Sequence, residues 1–390
     1  MMNVSAAKRR SQEVGMMAKE SELISVPHEI LAEASKAGLE VNEENRAGTL
    51  LHVDQDTIYA KVNEFFKGKI EIMDTKEALR KYPYLSDYLW RLVDKEKDEF
   101  TKKVAEDFSG GYFMRILPNV EVTFPLQSCL MITRSESEQR VHNIVIAEEG
   151  SKAHLITSCV QHGAAGNASH FGISEFYVKK NATLNFTMVH NWTEHTLVRP
   201  RSAALIEDKG TFVSNYICIR PAKDVQMYPV AYCNGEKSKV IFNSILYGHK
   251  NSYLDIGSKA VLNGENSKAE MITRSIGREH STIIVRGMIE GNTPSCKGHL
   301  ECKGLIIDDE SYVQSIPELI ARKKGVEITH EAAVGKVSEK EILYLMTRRL
   351  SRDQAISMII RGFMDVGIMG LPQLVTEEVT RMIDLVAKSS

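Results

Sequence analysis

Long apolar runs are missing from this sequence. Its hydrophobic stretches are broken by charge within about ten residues, far short of the roughly 20 consecutive apolar residues a helix needs to cross a bilayer. An excess of charge is missing too. The formal net charge of −2 leaves no basic surplus to attract nucleic acid or an anionic membrane. Cysteine is sparse: Cys129, Cys159, Cys218, Cys233, Cys296 and Cys302 in 390 residues. None of them forms a C-x-x-C pair, which removes the usual zinc and thioredoxin-like readings, and they are expected as thiols. There is no Walker A loop, G-x-G-x-x-G fingerprint, H-E-x-x-H or G-x-S-x-G, so neither a nucleotide site nor a hydrolase elbow is recognisable. The stretch Met1 to Glu20 has basic residues but no apolar signal-peptide core. The expected location is cytoplasmic.

What is present divides into three zones. Hydrophobic residues make up 43% of the chain, enough for a sizeable core. Residues 1–108 are charged and read as mostly helical, with stripes at Ile30, Leu31, Ala34 and Leu39 and at Leu85, Leu89, Leu92 and Val93. Gly110 and Gly111 close this zone. From about 111 to 328 short β-rich runs recur, each after a polar turn. These turns fall near 150, 181, 210, 235 and 264, a spacing of about 25 to 31 residues. Recurrence of that size predicts stacked β units, each burying its apolar face against the next; a β-helix and a β-sandwich both satisfy it. Residues from 338 onward return to helix. Ser338-x-x-Glu341 and Ser351-x-x-Gln354 read as capping boxes. The second opens a stripe of Ala355, Ile356, Ile359, Ile360 and Phe363, and Thr376 starts a last helix through Val386.

The densest group of metal-binding residue types is Cys296-Lys-Gly-His299-Leu-Glu-Cys302, with His330-Glu331 downstream. In a strand, Cys302, Gly304, Ile306 and Asp308 would share one face. Thiolate suits iron–sulfur clusters, and imidazole and carboxylate bind them less firmly. A buried cysteine that merely packs is the plain alternative.

Three blocks carry a resemblance. One is Gly110-Gly-Tyr-Phe-Met-Arg-Ile-Leu-Pro-Asn-Val-Glu-Val-Thr-Phe-Pro-Leu-Gln127. The second is Asn143-Ile-Val-Ile-Ala-Glu-Glu-Gly-Ser151, running on to Cys159. The third runs from Cys302 through Pro317 and Glu318 to Ile328-Thr-His-Glu-Ala-Ala-Val-Gly-Lys336, then Leu343-Tyr-Leu-Met-Thr-Arg348 and Ala355-Ile-Ser-Met-Ile-Ile-Arg-Gly-Phe363. Together they resemble the SufB/SufD scaffolds of the SUF iron–sulfur assembly system. The sequence departs from that pattern at Thr329, Lys303 and Arg349.

The resemblance implies a mainly β chain: a right-handed parallel β-helix over 109–330, a helical N-terminal region over 1–108 and a C-terminal helical subdomain over 331–390. It implies pairing of two scaffolds through the β-helix, here a homodimer, and docking of a SufC-like ABC ATPase on Ala355, Ile359, Ile360, Gly362 and Phe363. Cys302 and Glu331 would form the functional pair for a transient iron–sulfur cluster, with His330 beside them, and Cys159 is a weaker candidate for sulfur relay. The cluster would pass to recipient apoproteins, and ATP hydrolysis would belong to the partner, so the chain is not expected to be an enzyme. Two rivals remain: a structural subunit of the same complex without its own cluster, and a β-helical polysaccharide-acting enzyme. The latter would need paired carboxylates in a groove. Asp308 and Asp309 are the adjacent aspartates of the late β zone, and they read as a turn.

Overall fold

Apolar and polar residues alternate over stretches of about ten residues, and such stretches become strands with one buried face. The computed structural model describes residues 26–364 apart from 164, 219 and 221, together with 376, 377 and 380. The N-terminal part contains helix α1 (His28–Lys36), strands β1 (Gly48–Val53), β2 (Asp56–Val62) and β3 (Ile70–Asp74), and helices α2 (Thr75–Lys81) and α3 (Glu99–Glu106). The repetitive part follows with β4 (Tyr112–Ile116), β5 (Leu126–Ile132), β6 (Ser137–Ala147), β7 (Lys152–Gln161), β8 (Ala168–Val178), β9 (Thr183–Asn191), β10 (Thr196–Val198), β11 (Arg201–Ile206) and β12 (Thr211–Cys218). It continues with β13 (Asp224–Met227), β14 (Val230–Cys233), β15 (Lys239–Gly248), β16 (Tyr253–Leu262), β17 (Lys268–Gly277), β18 (Thr282–Gly291), β19 (Lys297–Ile306), β20 (Tyr312–Ala321) and β21 (Glu327–Lys336). Helices α4 (Glu339–Thr347) and α5 (Arg352–Phe363) come last among the described elements.

The strands form two stacked sheets. The first runs β2-β1-β5-β7-β9-β12-β15-β17-β19-β21, and the second stacks β4, β6, β8, β11, β14, β16, β18 and β20. From β5 onward every pairing is parallel, so the chain winds from one sheet to the other as a solenoid, the expected β-helix. Lys152, Thr183, Thr211, Lys239, Lys268, Lys297 and Glu327 sit over one another, in steps of 28 to 31 residues. The polar turns seen in the sequence all fall on the corner where the second sheet hands over to the first.

Register decides what lies inside. One inward column of the first sheet reads Leu126, Leu155, Phe186, Ser214, Phe242, Met271, Leu300 and His330. The next inward column reads Ser128, Thr157, Met188, Tyr216, Ser244, Thr273, Cys302 and Ala332. On the outer face of the same sheet, Ile156, Val189, Ile217, Ile245 and Ile276 receive Ile342, Ala355, Ile356 and Ile360 of α4 and α5. Fully burying an aliphatic side chain of this size stabilises by about 1.5–3 kcal/mol. The helices therefore cover a face of the solenoid, and among the described residues nothing caps its last coil. Among the described residues, strand β20 pairs only with β18, and β21 only with β19.

The N-terminal part differs from the helical reading. Strand β1 adds in parallel to β5, so the first rung of the sheet comes from this region. Leu89, Leu92 and Val93 lie in turns, and only Leu85 belongs to a short 3₁₀ helix. The reason is Glu175. Its buried carboxylate accepts the backbone N–H groups of Trp90 at 2.7 Å, Leu92 at 2.5 Å and Val93 at 3.1 Å, and meets His142 Nε2 at 2.8 Å. Those amides are thereby taken from the i−4 carbonyls a helix would use. Gly110 and Gly111, with φ of +150° and +137°, let the chain press against Asp74 and His142, where a Cβ would stand within 2.3 and 2.5 Å of their oxygens. At the other end the solenoid runs to Lys336, so a border at 330/331 cuts through β21. Ser351 forms its capping box with Gln354, whereas the Ser338 side chain caps nothing. The helix expected from Thr376 through Val386 lies for the most part outside the described residues, as does Met1 to Glu20.

Candidate functional site

Strand β19 carries Cys302, and its burial alternates strictly: Gly298, Leu300, Cys302 and Gly304 face inward, while His299, Glu301 and Lys303 face outward. Cys302 is 4% exposed and packs in the core with Leu300, Val285 and Val313. Burial raises its thiol pKa, opposed by the Ser315 hydroxyl and reinforced by Glu301. On β21 the partner of Cys302 is Ala332, and the partner of Leu300 is His330. His330 therefore shares the inner face with Cys302, one step diagonally away, on the last strand of the sheet. Its Nε2 is buried and has no hydrogen-bond partner among the described residues.

Glu331 is placed differently. It lies opposite Glu301, so its carboxylate points to the outer face, away from Cys302. There it meets His299 and Glu301, with ligand atoms of the three residues within 4.8 Å of one another. The structure thus brings Cys302 and His330 together on one face and Glu331, Glu301 and His299 on the other. Cys296 joins neither group. It sits in a corner against Thr293 Oγ1 at 2.9 Å and Ser267 Oγ at 3.4 Å. Asp308 lies beyond the end of β19, not on the face of Cys302, and its Oδ1 accepts the N–H of Ser311 at 2.9 Å in a turn.

Cys159, on β7, faces inward with His190 above it and Cys218 above that. Five strand steps separate β7 from β19, about 24 Å at the usual strand spacing. Burial raises the Cys159 thiol and drives Cys218 up to about 11 and Cys233 up to about 12. The interior between is packed; a cavity of about 20 Å³ beside Phe186, Ser214 and Tyr216 has room for roughly one water.

A family model described as "SUF system FeS cluster assembly, SufBD core domain" matches residues 130–363. The chain belongs to the SufBD family. An iron-sulfur cluster assembly SufBD family protein of Archaeoglobus fulgidus is 47% identical over 372 residues, covering 95% of this chain and 98% of the relative. One from Methanothermobacter thermautotrophicus is 44% identical over 367 residues, covering 93% and 89%. One from Pyrococcus horikoshii is 29% identical over 374 residues, covering 95% and 84%.

In this SufBD chain the C-terminal helices are divided by burial. Ala355 and Ile360 are fully buried against the solenoid, and Ile359 and Phe363 are half-buried against the same cluster. A partner cannot reach Ala355 or Ile360 while α5 stays packed, because its apolar stripe is already spent on the chain's own sheet. Gly362 is exposed. The outward apolar residues are Leu343 and Tyr344 of α4, Met346 near its end, and Met358 of α5. An open groove beside Met358 is lined by Leu350, Gln354, Ser357, Arg361 and Gly362. Of these residues the sequence reading singled out only Gly362; the others interrupt no pattern, and only the docked position of the helices separates the two faces. No helix among the described residues is long and apolar enough to cross a membrane.

Proposed function

We propose that this chain is a scaffold on which an iron–sulfur cluster is built and then passed to recipient apoproteins, with no catalysis of its own. The observation that carries the proposal is the meeting of Cys302 and His330 on the inner face of the last described coils of a SufBD-family solenoid. A thiolate grips iron–sulfur centres firmly and an imidazole less so, which suits cargo that must leave. In the closed coil Cys302 is buried and its pKa raised, so it is held as the thiol. Loading therefore requires the coil to open, which returns the thiol toward its ordinary range and lets bound metal displace its proton.

A SufC-like ABC ATPase supplies that opening by docking on the outward residues of α4 and α5 and pulling when it dimerises with ATP. The lever is short. Arg274 of β17 donates through Nη1 to the carbonyl of Phe363 at the end of α5, at 3.1 Å, and β17 is the direct neighbour of β19. A second copy of the chain pairs on the edges of β20 and β21 that no described strand occupies, and a two-fold axis there brings two Cys302 and two His330 side chains together. Cys159, five strands from Cys302, is the weaker candidate for receiving sulfur. The protein works in the cytoplasm.

Anaerobic reconstitution with iron and sulfide tests the reading, comparing the wild type with Cys302→Ala by visible absorption and bound-iron count. A cluster in the wild type that is lost in the variant is the expected result. No cluster in either chain assigns a structural role without cargo, and an unchanged cluster in the variant moves the site to another cysteine.

A further inference from the structure

The outer face of β19 and β21 holds a second set of ligand atoms. His299 and Glu301 are two residues apart on one strand, and Glu331 is the register partner of Glu301 on the next. Alternation points all three side chains the same way. One ligand atom from each lies within 4.8 Å of the other two, a spacing that a single ion could bridge.

Each residue also has an unused ligand atom. His299 Nδ1 meets Thr329 Oγ1 at 2.8 Å, which fixes the ring and leaves Nε2 without a partner among the described residues. Orientation of a ligating imidazole through its other nitrogen is the usual way a metal site is supported. Glu301 Oε2 is paired by the Lys303 ammonium at 2.9 Å, and its Oε1 is buried with no hydrogen bond, 3.9 Å from Arg274. Glu331 makes no hydrogen bond or ion pair among the described residues, although it faces another carboxylate across the register. Two carboxylates placed side by side repel unless something positive sits between them. Arg274, on β17, lies on the side of Glu301 away from Glu331 and also serves the Phe363 carbonyl.

We propose that His299, Glu301 and Glu331 form a divalent-cation site of the first transition row on the outer surface, of the kind that receives iron(II). One imidazole and two carboxylates form a nitrogen and oxygen set that suits iron(II), manganese(II) and cobalt(II). The choice of iron as the natural ion rests on the scaffold reading; the ion site itself does not. In this assignment Glu331 holds incoming metal on the outside, and Cys302 and His330 hold the growing cluster on the inside.

The test uses manganese(II) and cobalt(II) alone, added anaerobically to the full chain, with manganese followed by its electron paramagnetic resonance signal. The expected result is one manganese bound per chain, weakened at least tenfold in His299→Ala and in Glu301→Gln, and unchanged in Cys302→Ser. The cobalt complex should show ligand-field bands without thiolate charge transfer. Circular dichroism of each variant checks the fold, and Thr329→Val, which keeps all three ligands, should weaken binding by a smaller factor. Absence of manganese binding, equal binding in the His299 and Glu301 variants, or loss in Cys302→Ser would overturn the site. A wild type that binds manganese but never holds a cluster keeps the site and overturns the scaffold reading instead.

Discussion

Cys302 combines a buried position with the one ligand type that grips iron–sulfur centres, so access controls its chemistry. With its pKa raised, little thiolate exists near pH 8. Iodoacetamide should therefore alkylate Cys302 at least tenfold more slowly in the native chain than in the denatured one, as read by mass spectrometry of the labelled peptide. The interior histidines make a second prediction. Burial lowers His154 to about 4 and His170 to about 3. Both are neutral in the folded chain, while the unfolded chain binds their protons below about pH 6.5. Stability is accordingly flat above that value and falls as the pH drops toward 4, by up to about 1.4 kcal/mol per pH unit for each group. Thermal unfolding between pH 7 and 4.5 should show the fall, and His170→Gln should shallow it. At this scale the sequence was only partly legible. It singled out Cys302, His330, Glu331 and His299 as chemistry, yet spacing alone could not pair them. Glu331 lies one coil beyond Glu301, an interval of 30 residues, and that register becomes visible only when every coil length is known.

Among the elements, α5 was the most legible and α4 less so. The same four-residue pattern precedes both, but only Ser351 closes a capping box with its own helix. Ser351→Ala should cost about 1 kcal/mol, whereas Ser338→Ala should cost far less; thermal denaturation distinguishes the two. The apolar stripe of α5 was legible as a stripe, though not as to which partner it faces. Ile360→Ala should destabilise the chain by about 2–5 kcal/mol because it opens a hole beneath a buried face. By contrast, Tyr344→Ala together with Met358→Ala should leave melting unchanged and weaken capture of the ATPase in a pull-down with that partner. The segment 88–97 read as helix because its leucines are helically spaced. What overrides the spacing is a carboxylate on β8, more than 80 residues away in sequence, that claims three of its amides.

For the whole molecule, the recurrence of polar turns was enough to expect stacked β units, since each turn sits at the same corner of successive coils. The contribution of β1 to the first sheet escaped notice because a single strand outside the repeat has no partner in sequence to be compared with. The open end makes the largest-scale prediction. If two copies pair on β20 and β21, Val334→Lys, at an exposed position of β21, should convert dimers to monomers in analytical ultracentrifugation while preserving the circular dichroism spectrum.

Strand β19 turns Cys302 into the solenoid and Glu301 out of it, although the two are joined by one peptide bond. A single layer of backbone thus acts as a partition. Free iron and sulfide precipitate together when they mix; if iron is taken up outside and sulfur inside, as proposed above, a wall one strand thick would keep the two reagents apart until the wall itself is made to yield.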